Sequence, residues 1–129
     1  MKTIEHFENE QCWVLVGKHQ GNLCIARRLV LTSGQPTTVE FDPDWVIRRD
    51  ESWQDVVGFL HTHPSGNVGL SRRDIDTMQA WTSCLGRPLL CLIAADDKIA
   101  GYQFEDDECT GQLVKECELF SCDRVVVCK

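Results

Sequence analysis

Residues 61 to 74 read HTHPSGNVGLSRRD, which sets two histidines one residue apart and follows them with a small-residue loop, a serine and an aspartate. On a strand, side chains at i and i+2 point to the same face, so His61 and His63 can aim their rings at one point while Thr62 faces away. Asp74 comes eleven residues after His63, in the first turn of a helix expected to begin at Ser71, so the loop can return its carboxylate to that point. Two imidazole nitrogens and one carboxylate oxygen leave the fourth tetrahedral position of zinc open to water, the pattern of a catalytic site. One zinc ion per chain, held by His61, His63 and Asp74, is the expectation. A plainer reading competes. Ser71-Arg-Arg-Asp74 also fits a capping box, with Asp in place of the usual Glu or Gln, and exposed histidines at strand ends are common.

The elements that must position these residues can be read from periodicity. "DVVGFLHTH" is a strand that delivers the histidines at its end, and "SRRDIDTMQAWTSCLG" is a helix stopped near Gly86. Upstream, "QCWVLVG" (11 to 17) and "NLCIARRLVLT" (22 to 32) read as strands joined by the turn "KHQGN", and the apolar run 12 to 16 suggests burial on both faces. "TTVEF" is a short strand, and "DPDWVIRRDESW" is a helix with Asp42 as N-cap, Pro43 at its first position and apolar Trp45, Val46 and Trp53. "PLLCLIAADDKIAGYQFE" forms a second hairpin about Asp96 and Asp97. Beyond 109, "TGQLVKECELF" fits helix or strand, and "RVVVC" fits a final strand. The fold class is α/β, with a mixed sheet and two or three helices.

Composition bounds the rest. A chain of 129 residues, 43% hydrophobic and 26% charged, is one domain, 1 to 129, with enough apolar material for a core. Its longest apolar run, "LLCLIAA", falls far short of the roughly 20 residues that span a bilayer, and the polar, acidic start "MKTIEHFENEQ" lacks the form of a secretory signal. No membrane association and a cytoplasmic location are expected. A net charge of −7 opposes contact with a phosphate backbone, so no nucleic-acid partner is expected. The eight cysteines include no C-x-x-C pair and are expected as thiols, Cys12, Cys24 and Cys91 as small buried hydrophobes. Cys109, Cys117, Cys122 and Cys128 crowd the tail at spacings that match no structural zinc pattern.

The string His-x-His-Pro, six residues, Ser, two residues, Asp resembles the JAMM motif of the MPN/JAB metallopeptidase family, with every fixed position filled. "EQCWVLVG" is similar to the family's upstream strand Glu-x-x-Gly-x-Leu-x-Gly, supplying Glu10, Leu15 and Gly17, with Trp13 where glycine is frequent. "FDPDWV" and "VVGFLHTHP" also look like family features. The resemblance covers most of the chain. It implies a single MPN/JAB-like, cytidine-deaminase-like domain and gives Glu10 the role of general base, for which Glu8 is the competitor.

The chemistry that follows can be stated physically. Zinc lowers the pKa of a bound water to about 7, making hydroxide available at neutral pH. A carboxylate must still take the water's proton and pass it to the departing amine, which suits Glu10. Ser71 is the available hydroxyl donor to a developing oxyanion. By resemblance, the substrate is a ubiquitin-like or sulfur-carrier protein, cut after its C-terminal glycine. A Gly-rich tail would pair as a strand alongside loop 64 to 70. Short connections around the motif leave no room for insertions that select a linkage. Two other readings stand beside this one: a RadC-like DNA-repair-associated protein, suggested by "HTHPSG", and a non-catalytic MPN binding scaffold. The sequence names neither the substrate nor the oligomeric state.

Overall fold

The computed structural model describes residues 11–33, 43–105, 111–120 and 122–129. The elements are β1 (Gln11–Gln20), β2 (Leu23–Ser33), α1 (Pro43–Trp53), β3 (Val56–Thr62), α2 (Arg72–Leu85), β4 (Leu89–Ala95), β5 (Lys98–Phe104), β6 (Gln112–Leu113), β7 (Glu116–Leu119) and β8 (Arg124–Cys128). All eight strands join one sheet in the order β6-β5-β4-β3-β1-β2-β8-β7. Among the described strands only the β3 and β4 pair is parallel, with α2 as its crossover, so the sheet is mixed and the α/β class stands. Two helices lie among the described residues. The strand expected over 37–41 and the Asp42 cap fall outside them.

The sheet curls until its two ends meet. β6 and β7 are consecutive in the chain yet occupy opposite edges, and between them Val114 N–H donates to Gly101 O at 2.9 Å while Lys115 N–H donates to Cys128 O at 3.0 Å. This curl divides the core in two. Inside it, Trp13, Leu15, Leu60, Leu92, Val125 and Val127 pack with Val114 and Leu119, with no helical residue among them. Outside, Val14, Phe59, Cys91 and Ile93 pack against Val46 of α1 and Met78 of α2. Because β1 faces both cores, Cys12 to Val16 are all buried, as the continuous apolar run predicts.

Differences from the sequence expectation have local causes. The first hairpin's turn is Gly21-Asn22 alone, since the ladder continues through Gln20 opposite Leu23. Lys18, His19 and Gln20 are polar because that end of the strand is exposed, although its backbone is still paired. The second hairpin turns at Asp96 and Asp97 as expected, with Asp96 in the left-handed region at φ 52°. The segment after 111 is strand, drawn into the sheet by β5 and β8. Trp53 is 67% exposed at the end of α1, where the Arg49 guanidinium lies 4.6 Å from its ring centre. No helix among the described residues is long and apolar enough to cross a membrane.

β3 is held in place from both sides. A side chain at Gly58 would put its Cβ 2.1 Å from Leu90 O, so only glycine allows β3 and β4 to approach here. Bulges at Trp13/Val14 and Leu15/Val16 adjust the register of β1. The result sends Phe59 and His61 to the outer, helix-covered face and buries Thr62 on the other. Phe59 meets Trp81 of α2 with ring centres 5.2 Å apart, which docks the second half of α2 on the middle of β3.

Candidate metal centre

His61, His63 and Asp74 converge as their spacing predicts. The His61 and His63 rings stack with centres 4.9 Å apart and planes 16° from parallel. His61 Nε2 lies 3.3 Å from Asp74 Oδ1, and His63 Nε2 lies 3.5 Å from Asp74 Oδ2. The three ligand atoms fall within 4.8 Å of one another, and this is the one such His/Cys/Asp/Glu group among the described residues. The side chains are only 11% to 17% exposed, so an ion held here would be largely shielded from solvent.

The surroundings leave donor atoms free for a cation. His61 Nε2 is buried and has no hydrogen-bond partner despite its closeness to the carboxylate. A buried nitrogen so placed carries a desolvation cost that a metal would relieve. Burial, with a further push from His63, outweighs the attraction of Asp74 and lowers the His61 pKa to about 4. The ring is therefore neutral at pH 7, the state in which an imidazole binds a metal. On the other ring, His63 Nδ1 is 2.8 Å from Asn67 O. A carbonyl can only accept, so Nδ1 carries the proton and Nε2 keeps its lone pair for the ion. Two imidazoles and a carboxylate suit an open zinc site.

The capping box and the ligand set turn out to be one structure. Ser71 is the N-cap of α2: its Oγ accepts from Asp74 N–H at 3.0 Å, and its own N–H donates to Asp74 Oδ2 at 2.9 Å. The second bond fixes the carboxylate's rotation between the two histidines. The two readings of Ser71-x-x-Asp74 are therefore compatible. Ser71 Oγ uses a lone pair for the cap and retains its hydroxyl proton for donation elsewhere.

Loop 64–70 is shaped by its own hydrogen bonds. His63 N–H is anchored to Ala94 O at 2.9 Å, Gly66 N–H reaches His63 O at 3.2 Å with Gly66 at φ 81°, and Gly69 N–H donates to Asn67 Oδ1 at 2.8 Å. Tyr102 Oη donates to Val68 O at 2.9 Å. A tail laid along this loop as an added strand would meet main-chain groups at 66 to 69 that are already engaged. The loop is a preformed wall. Sequence reading missed Asn67 and Tyr102, because a main-chain carbonyl carries no side-chain signal and Tyr102 lies 39 residues from His63.

Glu10 and Glu8 lie outside the described residues. At the first described residue, Gln11 N–H donates to Thr62 Oγ1 at 2.9 Å, so the chain is tied here to the last residue of β3, between His61 and His63. Cys12, Cys24 and Cys91 are buried thiols as expected, and Cys117, Cys122 and Cys128 are also free. Cys109 falls outside the described residues. The tail cysteines join no metal-binding group among the described residues.

The family model described as prokaryotic homologs of the JAB domain matches residues 2–109, and β6, β7 and β8 lie beyond the matched segment. No curated protein matches the chain significantly.

Proposed function

Since this chain belongs to the family of prokaryotic JAB-domain homologs, we propose that it is a zinc-dependent peptidase or isopeptidase that cuts after the C-terminal glycine of a ubiquitin-like or sulfur-carrier protein. The observation that supports this most is the convergence of His61, His63 and Asp74 on one point, with the buried Nε2 of His61 lacking a hydrogen-bond partner. The retained ligand set thus favours catalysis over the binding-module reading, and a charge of −7 disfavours the DNA-associated one.

Bound zinc would polarise a carbonyl and lower the pKa of a water at its open position. The chain's residues divide the remaining work. Asn67 O holds His63 in the right tautomer, and the Ser71 N–H sets the carboxylate of Asp74. Glu10, one peptide bond from the Gln11 N–H held at Thr62, takes the water's proton and hands it to the leaving amine. The Ser71 hydroxyl donates to the oxyanion as it develops. Only Gly86, Arg87 and Pro88 separate α2 from β4, so no inserted element there screens the substrate. Discrimination among linkages is not expected.

The test is cleavage of a ubiquitin-like protein fused through its C-terminal glycine to a reporter. Release of the reporter after the glycine by the zinc-loaded chain, blocked by a chelator, is expected. Zinc binding with no cleavage across a panel of such fusions would instead indicate a scaffold.

A further inference from the structure

We propose that Tyr102 is a positioning residue of this centre, acting through loop 64–70 to hold His63 in the tautomer that offers Nε2 to a metal. The inference rests on the metal-site reading above and adds the part of the fold that enforces it.

A neutral imidazole has two tautomers, and the hydrogen bond made by one nitrogen decides which form the other presents. For His63 that bond goes from Nδ1 to Asn67 O at 2.8 Å. The acceptor belongs to an irregular loop, so no helix or strand ladder fixes its direction. Gly69 N–H to Asn67 Oδ1 closes within the loop and moves with it, and Gly66 N–H to His63 O reaches the residue after β3 but engages neither the Asn67 nor the Val68 carbonyl. Tyr102 Oη, on β5, donates to Val68 O and so ties the loop's main chain directly to the sheet. Packing of Val68 and Leu70 on the helix-side core locates the loop but does not orient a peptide plane.

Geometry links this bond to His63. The carbonyls of Asn67 and Val68 belong to successive planar peptide units joined at the Val68 Cα. Once the second is pinned, the first can turn only through φ and ψ of Val68. Tyr102 is well suited as the pin. Its ring packs against the core that contains Phe59 and Cys91, and its strand is paired to β4 with Tyr102 opposite Cys91. Burial raises the pKa of its hydroxyl above the usual 10, which keeps it a donor at neutral pH.

The experiment replaces Tyr102 by phenylalanine, which keeps the packed ring and removes only the hydroxyl. Nitrogen NMR of the metal-free protein above pH 8 reads the tautomers of His61 and His63 separately, and competition with a chelator reads zinc affinity. Tyr102→Phe is expected to turn His63 from a single Nδ1–H form into a mixture, to leave His61 as it was, and to weaken zinc binding by roughly 10-fold, the lower end for lost outer-shell support. Asp123→Asn, which weakens an exposed ion pair to Arg28 on another part of the sheet, should change neither readout. A merely structural role for Tyr102 would lower the melting temperature and leave the His63 tautomer intact, and that result would overturn the proposal. Failure of the wild type to bind zinc would overturn the metal reading, while the tautomers of the metal-free chain would still decide the role of Tyr102.

Discussion

Ser71 has a structural and a chemical task, and one pair of substitutions separates them. Ser71→Ala removes the Oγ that accepts from Asp74 N–H at 3.0 Å but spares the Ser71 N–H that holds Asp74 Oδ2 at 2.9 Å, because that donor is main chain. The ligand carboxylate therefore keeps its orientation, and zinc content should be unchanged. Loss of the N-cap acceptor costs about 0.5–2 kcal/mol, which for a chain of 129 residues lowers the melting temperature by roughly 3–5 °C per kcal/mol. If the hydroxyl also donates to the oxyanion, kcat falls a further 10²–10³-fold, on the order of 3–4 kcal/mol in the barrier. Ser71→Asp restores a capping oxygen and places a negative charge at a helix N-terminus, so its melting temperature should return to the wild-type value. An ionised Asp cannot donate, so its kcat should stay low. The assay is melting temperature and single-turnover cleavage of the glycine-linked fusion, both at full zinc occupancy. Near-normal kcat in Ser71→Asp would refute the reasoning and leave Ser71 as a cap only.

Two further predictions address the base and the thiols. Glu10→Gln should retain zinc while cleavage falls by roughly 10²–10⁴-fold, as expected for loss of a general base, and Glu8→Gln should change little. The reverse pattern would put the strand assignment two residues out. Alkylation of the native protein, followed by peptide mapping, should modify exposed Cys84 and Cys122 first and leave Cys24, Cys91 and Cys117 unmodified. Burial raises the Cys24 thiol to about 11 and Cys117 to about 12, and Cys91 also lies well above its usual value, so little thiolate forms at pH 8. Rapid labelling of Cys91 would show that the helix-side core opens on the labelling timescale.

The ligand set was legible because it depends on short-range rules. Alternation along β3 puts His61 and His63 on one face, and the capping signature marks where α2 begins. Both hairpins were legible for the same reason, through the glycine at 21 and the aspartate pair at 96 and 97. Sequence patterns say much less about contacts between distant segments. The closing of the sheet depends on Val114 meeting Gly101 and Lys115 meeting Cys128, and periodicity in 111–120 fits helix as well as strand until those partners are known. The bulges in the β1 pairings are similarly invisible within an unbroken apolar run. Support of His63 escaped notice because it passes through two carbonyls, of Asn67 and Val68, to a tyrosine on another strand.

Metal content tests the central claim most directly. Purified wild-type chain and His63→Ala, each dialysed against the same limiting zinc buffer, would be analysed for bound metal per mole of protein. One zinc per wild-type chain and strong depletion in His63→Ala are the expected results, since the variant retains only His61 and Asp74 of the three converging ligands. Equal zinc in both proteins, or none in the wild type, would contradict the assignment of His61, His63 and Asp74 as a metal centre.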